Sequence, residues 1–160
     1  MAFERGGASS EPEGEVDEAA LREAAVRLLA RREHSRRELV RKLVHKGWPD
    51  EAVQPAVDAL AFDGLQSDQR FAESYVRQRV GKGYGPLRIR AELAERGVDR
   101  TDASRALDAE SPDWREVAGR WYERRYGSGP PADLKDASRR QQALSRRGFA
   151  HEHFRDLLDR

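Results

Sequence analysis

A glycine-rich stretch, Gly81-Lys82-Gly83-Tyr84-Gly85, is the part of this sequence that most resembles a phosphate-binding loop. A P-loop has four residues between its two glycines, followed by Lys and then Ser or Thr, and it leads from a strand into a helix. Here a glycine follows Lys82, and a helical pattern precedes the stretch. The spacing therefore predicts a flexible loop between two helices rather than a nucleotide site.

The four histidines are the next candidates for chemistry, as metal ligands. His151 and His153 are two residues apart on a predicted helix and so point to different faces, and His34 with His45 has no better ligand spacing. The absence of cysteine excludes disulfides, thiolate zinc sites and thiol nucleophiles, and it fits a reducing cytoplasm. The acidic residues form no recognisable acid–base pair. We therefore expect no metal, no cofactor and no enzymatic activity.

Arginine is the side chain with the most binding capacity, with 26 Arg against 4 Lys. Residues 1–20 contain six acidic side chains and one arginine, whereas the remaining residues contain 29 basic and 23 acidic ones. The acidic start, which also contains Gly, Ser and Pro, is typical of a disordered tail. The planar guanidinium can bind phosphates or carboxylates. Simple solvation of a helical surface explains the same composition, and both readings stay open.

No segment of the sequence is suited to a membrane. The longest apolar run has four residues, Ala59–Phe62. A bilayer span needs about 20 apolar residues and a signal peptide an apolar stretch of about 7. We expect a soluble, cytoplasmic protein.

The elements that position these side chains recur about every fifty residues. Leu39, Leu43, Gly47 and Trp48 return after 50 residues as Ile89, Leu93, Gly97 and Val98, and after a further 51 as Leu144, Gly148 and Phe149. Apolar spacing of four indicates one face of a helix, and the glycine is typical of a helix end. The sequence predicts an all-α fold of about nine helices in an elongated array. Its parts are a disordered tail (1–17) and three-helix repeats at 18–65, 66–111 and 112–160.

Several residues mark where these helices begin and end. Ser35 with Glu38 predicts a capping box, Ser67 and Asp113 predict N-caps, and Pro86 suits a first helical turn. The third helix of the first repeat contains a proline at position 55, which predicts a kink or a helix start there. Basic residues precede the repeated glycines (Lys46, Arg96 and Arg147), and the helix dipole alone explains them.

Two segments in the middle of the chain are similar to the RecX regulatory proteins: Phe62–Tyr75 (FDGLQSDQRFAESY) and Gly81–Gly97 (GKGYGPLRIRAELAERG). Weaker similarity lies in the flanks, and the resemblance runs from about residue 21 to 158. The flanking segments are Ser35–Leu39 with Leu43, Trp114–Ala118 and Arg147–Phe149. The sequence departs from the family at Gln66-Ser67, where an acidic pair is usual. It also has Arg140 in place of an apolar residue, which predicts poorer packing of that helix.

The resemblance implies a three-repeat helical fold that binds the RecA recombinase filament on DNA, and we expect a monomer. In the family this binding suppresses filament growth, ATP hydrolysis, strand exchange and stimulated repressor cleavage, and thereby modulates DNA repair and the SOS response. The family has no catalytic residues to transfer. We expect the contact surface among basic residues of the middle repeat, or else among basic residues of its neighbours. The candidates are Arg77, Arg79, Lys82, Arg88 and Arg90, then Arg36, Arg37 and Arg41, then Arg139 and Arg140.

A direct DNA-binding module is the second hypothesis. Each helix–Gly–helix corner resembles a helix-turn-helix, whose second helix reads base edges. The third helix of the middle repeat is poor in cations, since residues 101–112 contain one arginine and three acidic residues. This composition disfavours sequence-specific readout but leaves weak contacts with DNA phosphates open.

Overall fold

The computed structural model describes residues 15–159, which form nine α-helices and no strand. The helices are α1 (Glu18–Arg31), α2 (Arg36–His45), α3 (Asp50–Phe62), α4 (Asp68–Gly81), α5 (Pro86–Glu95), α6 (Arg100–Glu110), α7 (Trp114–Tyr126), α8 (Leu134–Arg146) and α9 (His151–Leu158). The all-α prediction is confirmed. Residues 1–14 of the predicted acidic tail lie outside the described residues.

Each group of three consecutive helices encloses its own apolar core. We call α1–α3, α4–α6 and α7–α9 repeats 1, 2 and 3. The cores are centred on Leu39 and Leu43 in repeat 1, on Ile89 and Leu93 in repeat 2, and on Leu144 in repeat 3. These are the positions that the periodicity predicted to be equivalent. Because each repeat buries few apolar residues, the contacts between repeats contribute to the stability of the array.

Side chains cap the helix starts at residues that the sequence predicted. The Ser35 and Ser67 hydroxyls and the Asp113 carboxylate accept hydrogen bonds from backbone N–H groups three residues ahead, at 3.1, 3.1 and 3.2 Å. These caps and the position of Pro86 at the start of α5 are confirmed. The carboxylate of Glu38 does not close a capping box but pairs with Arg32 at 3.0 Å.

The helix ends are confirmed as well. Gly47, Gly97 and Gly148 have φ angles of 106°, 82° and 98°, in the left-handed region that favours glycine. The N–H of the residue after each glycine reaches back to the carbonyl five residues earlier, at 3.2, 3.0 and 3.2 Å. This is the Schellman arrangement, which satisfies the last carbonyl groups of α2, α5 and α8.

Of the two alternatives that Pro55 predicted, a kink or a helix start, the helix start is wrong. The helix begins at Asp50 and continues through the proline, while Val53 and Val57 on either side of it are buried. Pro55 lacks the N–H that would bond the carbonyl of Glu51. Both residues lie on the exposed face of α3, where water can solvate that carbonyl.

The repeats are joined end to end through their second helices. At the first joint, the start of α2 lies on the end of α5: the Ser35 hydroxyl donates to the Arg96 carbonyl at 2.8 Å, and the Arg37 guanidinium donates to the Glu95 carbonyl at 3.3 Å. The Arg37 side chain also covers Gly97, since a Cβ at that glycine would lie 2.7 Å from Nε of Arg37.

The second joint repeats this arrangement one unit further along. The start of α5 lies on the end of α8, with the N–H of Gly85 donating to the Arg147 carbonyl at 2.8 Å and that of Leu87 to the Gly148 carbonyl at 3.0 Å. The Arg88 guanidinium donates to the Arg146 carbonyl at 3.2 Å. The donor is therefore the first turn of a helix and the acceptor a Schellman end in both joints.

The glycine-rich loop is packed against repeat 3 rather than free. A Cβ at Gly85 would lie 2.4 Å from the carbonyl group of Gly148, and one at Gly83 would lie 2.9 Å from the ring of Trp121. The sequence indicated a flexible loop, whereas these glycines allow two backbones and an indole to approach closely. The loop therefore fixes repeat 2 against repeat 3 and positions the basic residues around it.

Candidate functional site

The ring of Tyr84 lies at the second joint between arginines from three helices. The guanidinium carbons of Arg79 (α4) and Arg147 (at the end of α8) are each 3.7 Å from the ring centroid, and that of Arg88 (α5) is 4.6 Å away. Cations over an aromatic face are attracted by its quadrupole. The three positive charges lower the pKa of the Tyr84 hydroxyl, with Arg147 contributing most.

Arg147 connects this group to the loop. Its guanidinium donates to the carbonyls of Gly83 at 3.2 Å and Lys82 at 2.5 Å. Burial lowers the pKa of Arg147, and the neighbouring Arg79 and Arg88 act in the same direction. The side chain thus holds a positive charge at the joint without a carboxylate of its own.

Glu92 is the acidic partner within the group. Its carboxylate accepts a hydrogen bond from the Tyr75 hydroxyl and pairs with Arg79 at 2.8 Å and Arg88 at 3.3 Å. Burial opposes ionisation, but the hydrogen bonds from Tyr75 and Arg79 hold the pKa of Glu92 below its usual value. Burial, together with the bond to Glu92, raises the pKa of Tyr75 to about 12. Glu92 is therefore ionised and Tyr75 neutral near neutral pH.

We call this group the Tyr84 cluster, and we include Lys82 in it because Arg147 binds its backbone. It consists of Arg79, Lys82, Tyr84, Arg88, Glu92 and Arg147. Four cations and one carboxylate give it a net charge of +3. Arg79 and Glu92 are only 16% and 15% exposed, whereas Arg88 is 44% exposed and Lys82 is exposed. Glu92 of this mostly covered pair holds Arg88, and the exposed Arg88 and Lys82 can contact an external anion.

The other candidates of the middle repeat point elsewhere. Arg77 pairs with Glu110 at 2.5 Å, and Arg90 donates to the Ser104 hydroxyl at 2.9 Å. Both partners lie on α6. The structure thus brings Arg79, Lys82 and Arg88 together but places Arg77 and Arg90 beside a different helix.

The first joint carries a more balanced charge. Arg37 and Arg41 line a groove there together with Arg96, and Glu38 and Glu95 line the same groove. Arg36 pairs with Asp58 on α3 at 2.7 Å. Because carboxylates offset most of the cations, this surface attracts anions less strongly than the Tyr84 cluster.

The candidates in the third repeat differ from each other. Arg139 is exposed, whereas the Arg140 side chain is only 11% exposed and pairs with Asp136 at 3.0 Å. Arg140 also donates to the Tyr122 hydroxyl at 3.0 Å, and its guanidinium carbon lies 4.6 Å from the ring centroid of Tyr126. It therefore fills the position of the missing apolar residue as an internal ion pair, with little surface left for a partner.

Sequence reasoning did not select Arg147. It attributed the residue to the helix dipole, as for Lys46 and Arg96. A usable signal was the position of Arg147 beside the glycine of a repeated helix end. The residue before such a glycine can take part in a binding surface only where another repeat docks on that helix end. This docking is a long-range contact, which a single sequence does not reveal.

Two further properties concern residues 15–159 alone. Their His, Asp and Glu side chains form no group of three or more that could hold a metal ion. The helices of this part of the chain are all too short or too polar to cross a bilayer.

Models of two domains of one family match the sequence. Residues 22–60 match the first three-helix domain of RecX, and residues 67–107 match the second. Regulatory protein RecX of Pseudomonas entomophila is 43% identical over 121 residues, which cover 76% of this chain and 78% of that protein. The chain belongs to the RecX family.

Other members of the RecX family and solved structures agree. Regulatory protein RecX of Xanthomonas citri is 47% identical over 112 residues, covering 70% of this chain and 69% of that protein. A crystal structure of a regulatory protein RecX superimposes with a TM-score of 0.73 at 25% identity, covering 89% of this chain and 72% of that one. For RecX from Lactobacillus salivarius, the TM-score is 0.70 at 23% identity, with 89% and 97% covered, which supports the fold.

The second matched RecX domain contains most of the Tyr84 cluster. The second domain, residues 67–107, includes Arg79, Lys82, Arg88 and Glu92. Arg147 lies in repeat 3, outside both matches. The cluster is thus assembled by a RecX domain and the repeat that follows it.

Proposed function

We propose that this RecX-family protein binds the RecA–DNA filament and inhibits its growth, ATPase and recombination activities, thereby modulating DNA repair and the SOS response. The observation that carries the proposal is the Tyr84 cluster, a surface of net charge +3 fixed at a joint between repeats of a RecX-family chain. It suits a regulatory protein that recognises an anionic assembly, and the chain's resemblance to RecX proteins points to RecA as that assembly.

The proposed action is binding rather than catalysis. A filament on DNA presents repeated phosphates, which arginine can bind through its planar fork. Because stacking on Tyr84 and pairing with Glu92 already hold the guanidinium groups, little side-chain freedom is lost on binding. A chain of joined repeats that contacts neighbouring protomers would block access of DNA or of a repressor.

The direct test is the DNA-dependent ATPase of a RecA from a closely related source. Substoichiometric amounts of the protein should lower RecA turnover on single-stranded DNA, because one regulator that halts growth affects many protomers. The protein alone should hydrolyse no ATP. Unchanged RecA turnover at equimolar protein would contradict the proposal.

Direct binding to DNA phosphates is the second candidate, because the Tyr84 cluster would attract a phosphate whichever assembly carries it. Titrations of bare single-stranded DNA over a range of salt concentrations separate the two functions. A DNA-binding module should show affinity for bare DNA that accounts for the inhibition, with a salt slope of about 0.7 per phosphate contact on a single strand. A filament regulator should inhibit at concentrations where bare DNA remains unbound.

A further inference from the structure

The end of α2 is a third copy of the surface that accepts a helix at both joints. It has the same Schellman arrangement, in which the Trp48 N–H reaches the Leu43 carbonyl at 3.2 Å. At the ends of α5 and α8, an arginine from another repeat covers the equivalent glycine. A Cβ placed at Gly47 meets no atom within 4 Å, whereas one at Gly97 or Gly148 would overlap Arg37 or Arg88.

The burial of these helix ends also differs between α2 and the two occupied joints. Lys46 and Gly47 are exposed, whereas the equivalent Arg96 and Gly97 are half-buried, and Gly148 is fully buried. The acceptor at the end of α2 is thus formed in full but carries no docked helix from residues 15–159.

The two joints within the chain indicate what kind of helix could dock on the end of α2. In each, the first turn of a helix faces the last turn of another and donates to its carbonyl groups. The donors are the Ser35 and Arg37 side chains at the first joint, and at the second the backbone N–H groups of Gly85 and Leu87 with the Arg88 side chain. In each, an arginine of the first turn lies over the glycine and donates to the carbonyl two residues before it, that of Glu95 or Arg146. The equivalent carbonyl in repeat 1 belongs to His45.

The free start of α8, which is the equivalent second helix at the other end of the array, does not supply such a turn from a second copy of this chain, since the cation of its first turn is Lys135 and not an arginine. Repeat spacing places the counterpart of Pro86 at Ala137, but α8 begins three residues earlier, at Leu134. Its first turn is led by the cap Asp133 and contains Asp136. Arg139, the counterpart of Arg88, therefore lies further inside the helix and cannot take the position over a glycine.

We propose that the end of α2, formed by residues 45–48, is a docking surface for the first turn of a helix in a partner protein, and that this turn carries an arginine over Gly47. The partner helix would continue the series of joints upstream of repeat 1. This surface is separate from the Tyr84 cluster, and the proposal stands whether or not the partner is a RecA filament.

A peptide of the α5 sequence, residues 84–97 with an acetylated start and a staple joining exposed positions 90 and 94, is a suitable probe. Titrated into the ¹⁵N-labelled full chain, it should shift the amide signals of Gly47 and Trp48 in a saturable way. The same peptide with Arg88→Ala should bind about tenfold more weakly, because a charged hydrogen bond to a carbonyl is lost. Equal binding of the two peptides, or no saturable shift at Gly47, would overturn the proposal.

Two variants of the chain provide a matched comparison. Gly47→Ala places a methyl group where the arginine must lie and should abolish the shift. Gly64→Ala should leave it unchanged, since Gly64 follows α3 with a φ of 78°, a Cβ there would also meet no atom within 4 Å, and it lies at neither joint. Equal binding to both variants contradicts the proposal, as does tighter binding of an α8 peptide (residues 132–146), which would indicate a second copy as the occupant.

Discussion

Glycines that look alike in the sequence perform different tasks in the structure. Gly47 and Gly148 both end a helix with a positive φ, but only Gly148 lies under a neighbouring repeat. At Gly47 the requirement is conformational, because L side chains avoid the left-handed region. At Gly148 there is a second requirement, since a Cβ would lie 2.4 Å from the Cβ and 2.6 Å from the backbone nitrogen of Arg88.

Alanine substitutions should separate these two requirements. Gly47→Ala should lower the free energy of unfolding by about 1–2 kcal/mol, the cost of a left-handed alanine. Gly148→Ala should cost about 1–3 kcal/mol more, because the backbone of α5 must move. Gly97→Ala should fall between them, since its nearest neighbour is the flexible Arg37 side chain. Urea unfolding of the three variants measures the order, and equal losses would contradict the distinct role of the joints.

His34 is a buried titratable residue outside both candidate surfaces. Its Nε2 lies 2.9 Å from Nζ of Lys42, a donor, so that Nε2 accepts and Nδ1–H donates to the Arg32 carbonyl at 3.0 Å. Burial is the main reason that the pKa of His34 lies below its ordinary value, and the neighbouring Arg32 and Lys42 charges add to the effect. The folded chain therefore favours the neutral imidazole.

A pH dependence of stability follows from this lowered pKa. The unfolded chain binds a proton near pH 6.5, whereas folded His34 resists protonation until lower pH. Stability is therefore fully present above pH 6.5 and is lost as the pH falls toward the folded pKa, by up to about 1.4 kcal/mol per pH unit for one proton. Urea unfolding between pH 8 and pH 5 should show this loss. The slope should be smaller in His34→Gln, with a remainder from His153, whose pKa burial also lowers. An identical dependence of stability on pH in the parent chain and in His34→Gln would show that His34 does not cause the loss.

At the scale of elements, the sequence predicted the helix starts and ends that depend only on residues close to them in the chain. Ser67 and Pro86 mark helix starts, and Gly97 ends a helix, because caps and left-handed ends depend on neighbouring residues. Pro55 lies inside α3 and not at its start, because burial of Val53 and Val57 outweighs one lost hydrogen bond on an exposed face.

The joints between elements were not predictable in the same way. They connect residues about 60 apart, such as Ser35 with Arg96 and Gly83 with Arg147. The arginine pattern alone could not show that Arg79, Lys82 and Arg88 share one joint while Arg77 and Arg90 contact α6. The candidate site was thus predicted in part, and its Arg147 component required the fold.

Two double variants test whether the residues at the second joint, rather than those beside α6, carry the inhibition. Lys82→Ala with Arg88→Ala removes the exposed cations of the Tyr84 cluster and should weaken inhibition of the RecA ATPase about tenfold or more, since charged hydrogen bonds contribute about 1.5–3 kcal/mol each. Arg77→Ala with Arg90→Ala changes the net charge equally but alters contacts with α6, and it should inhibit almost as the parent does.

Circular dichroism shows whether both double variants keep their helices, and bare-DNA affinity shows whether the loss is specific to the filament. Full inhibition by the Lys82/Arg88 variant would contradict the role of the Tyr84 cluster. The search would then move to Arg36, Arg37 and Arg41, where the first joint exposes Arg37 and Arg41.

At the scale of the whole molecule, the arrangement of joints predicts the shape. The chain has three cores rather than one centre, and they are connected through ends of helices and, between the second and the third, through Trp114, which packs against both. Helices α2, α5 and α8 have 10, 10 and 13 residues. Placed end to end, they would extend over about 50 Å at 1.5 Å per residue. Such a length suits a protein that contacts several protomers of a polymer.

Small-angle X-ray scattering of residues 15–160 measures this extension, and light scattering on the same sample establishes the mass. A compact globule of this size has a radius of gyration of about 15 Å, and we expect a monomer with a larger value because the repeats are joined in series. Gly85→Ala provides the comparison, since its Cβ would lie 2.4 Å from the carbonyl group of Gly148 and so loosen the second joint. That variant should keep its mass and helix content but show a broader distribution of interatomic distances. A monomeric parent with the compact value would contradict a linear array, and an unchanged distribution in the variant would show that contacts other than the second joint fix repeat 2 against repeat 3.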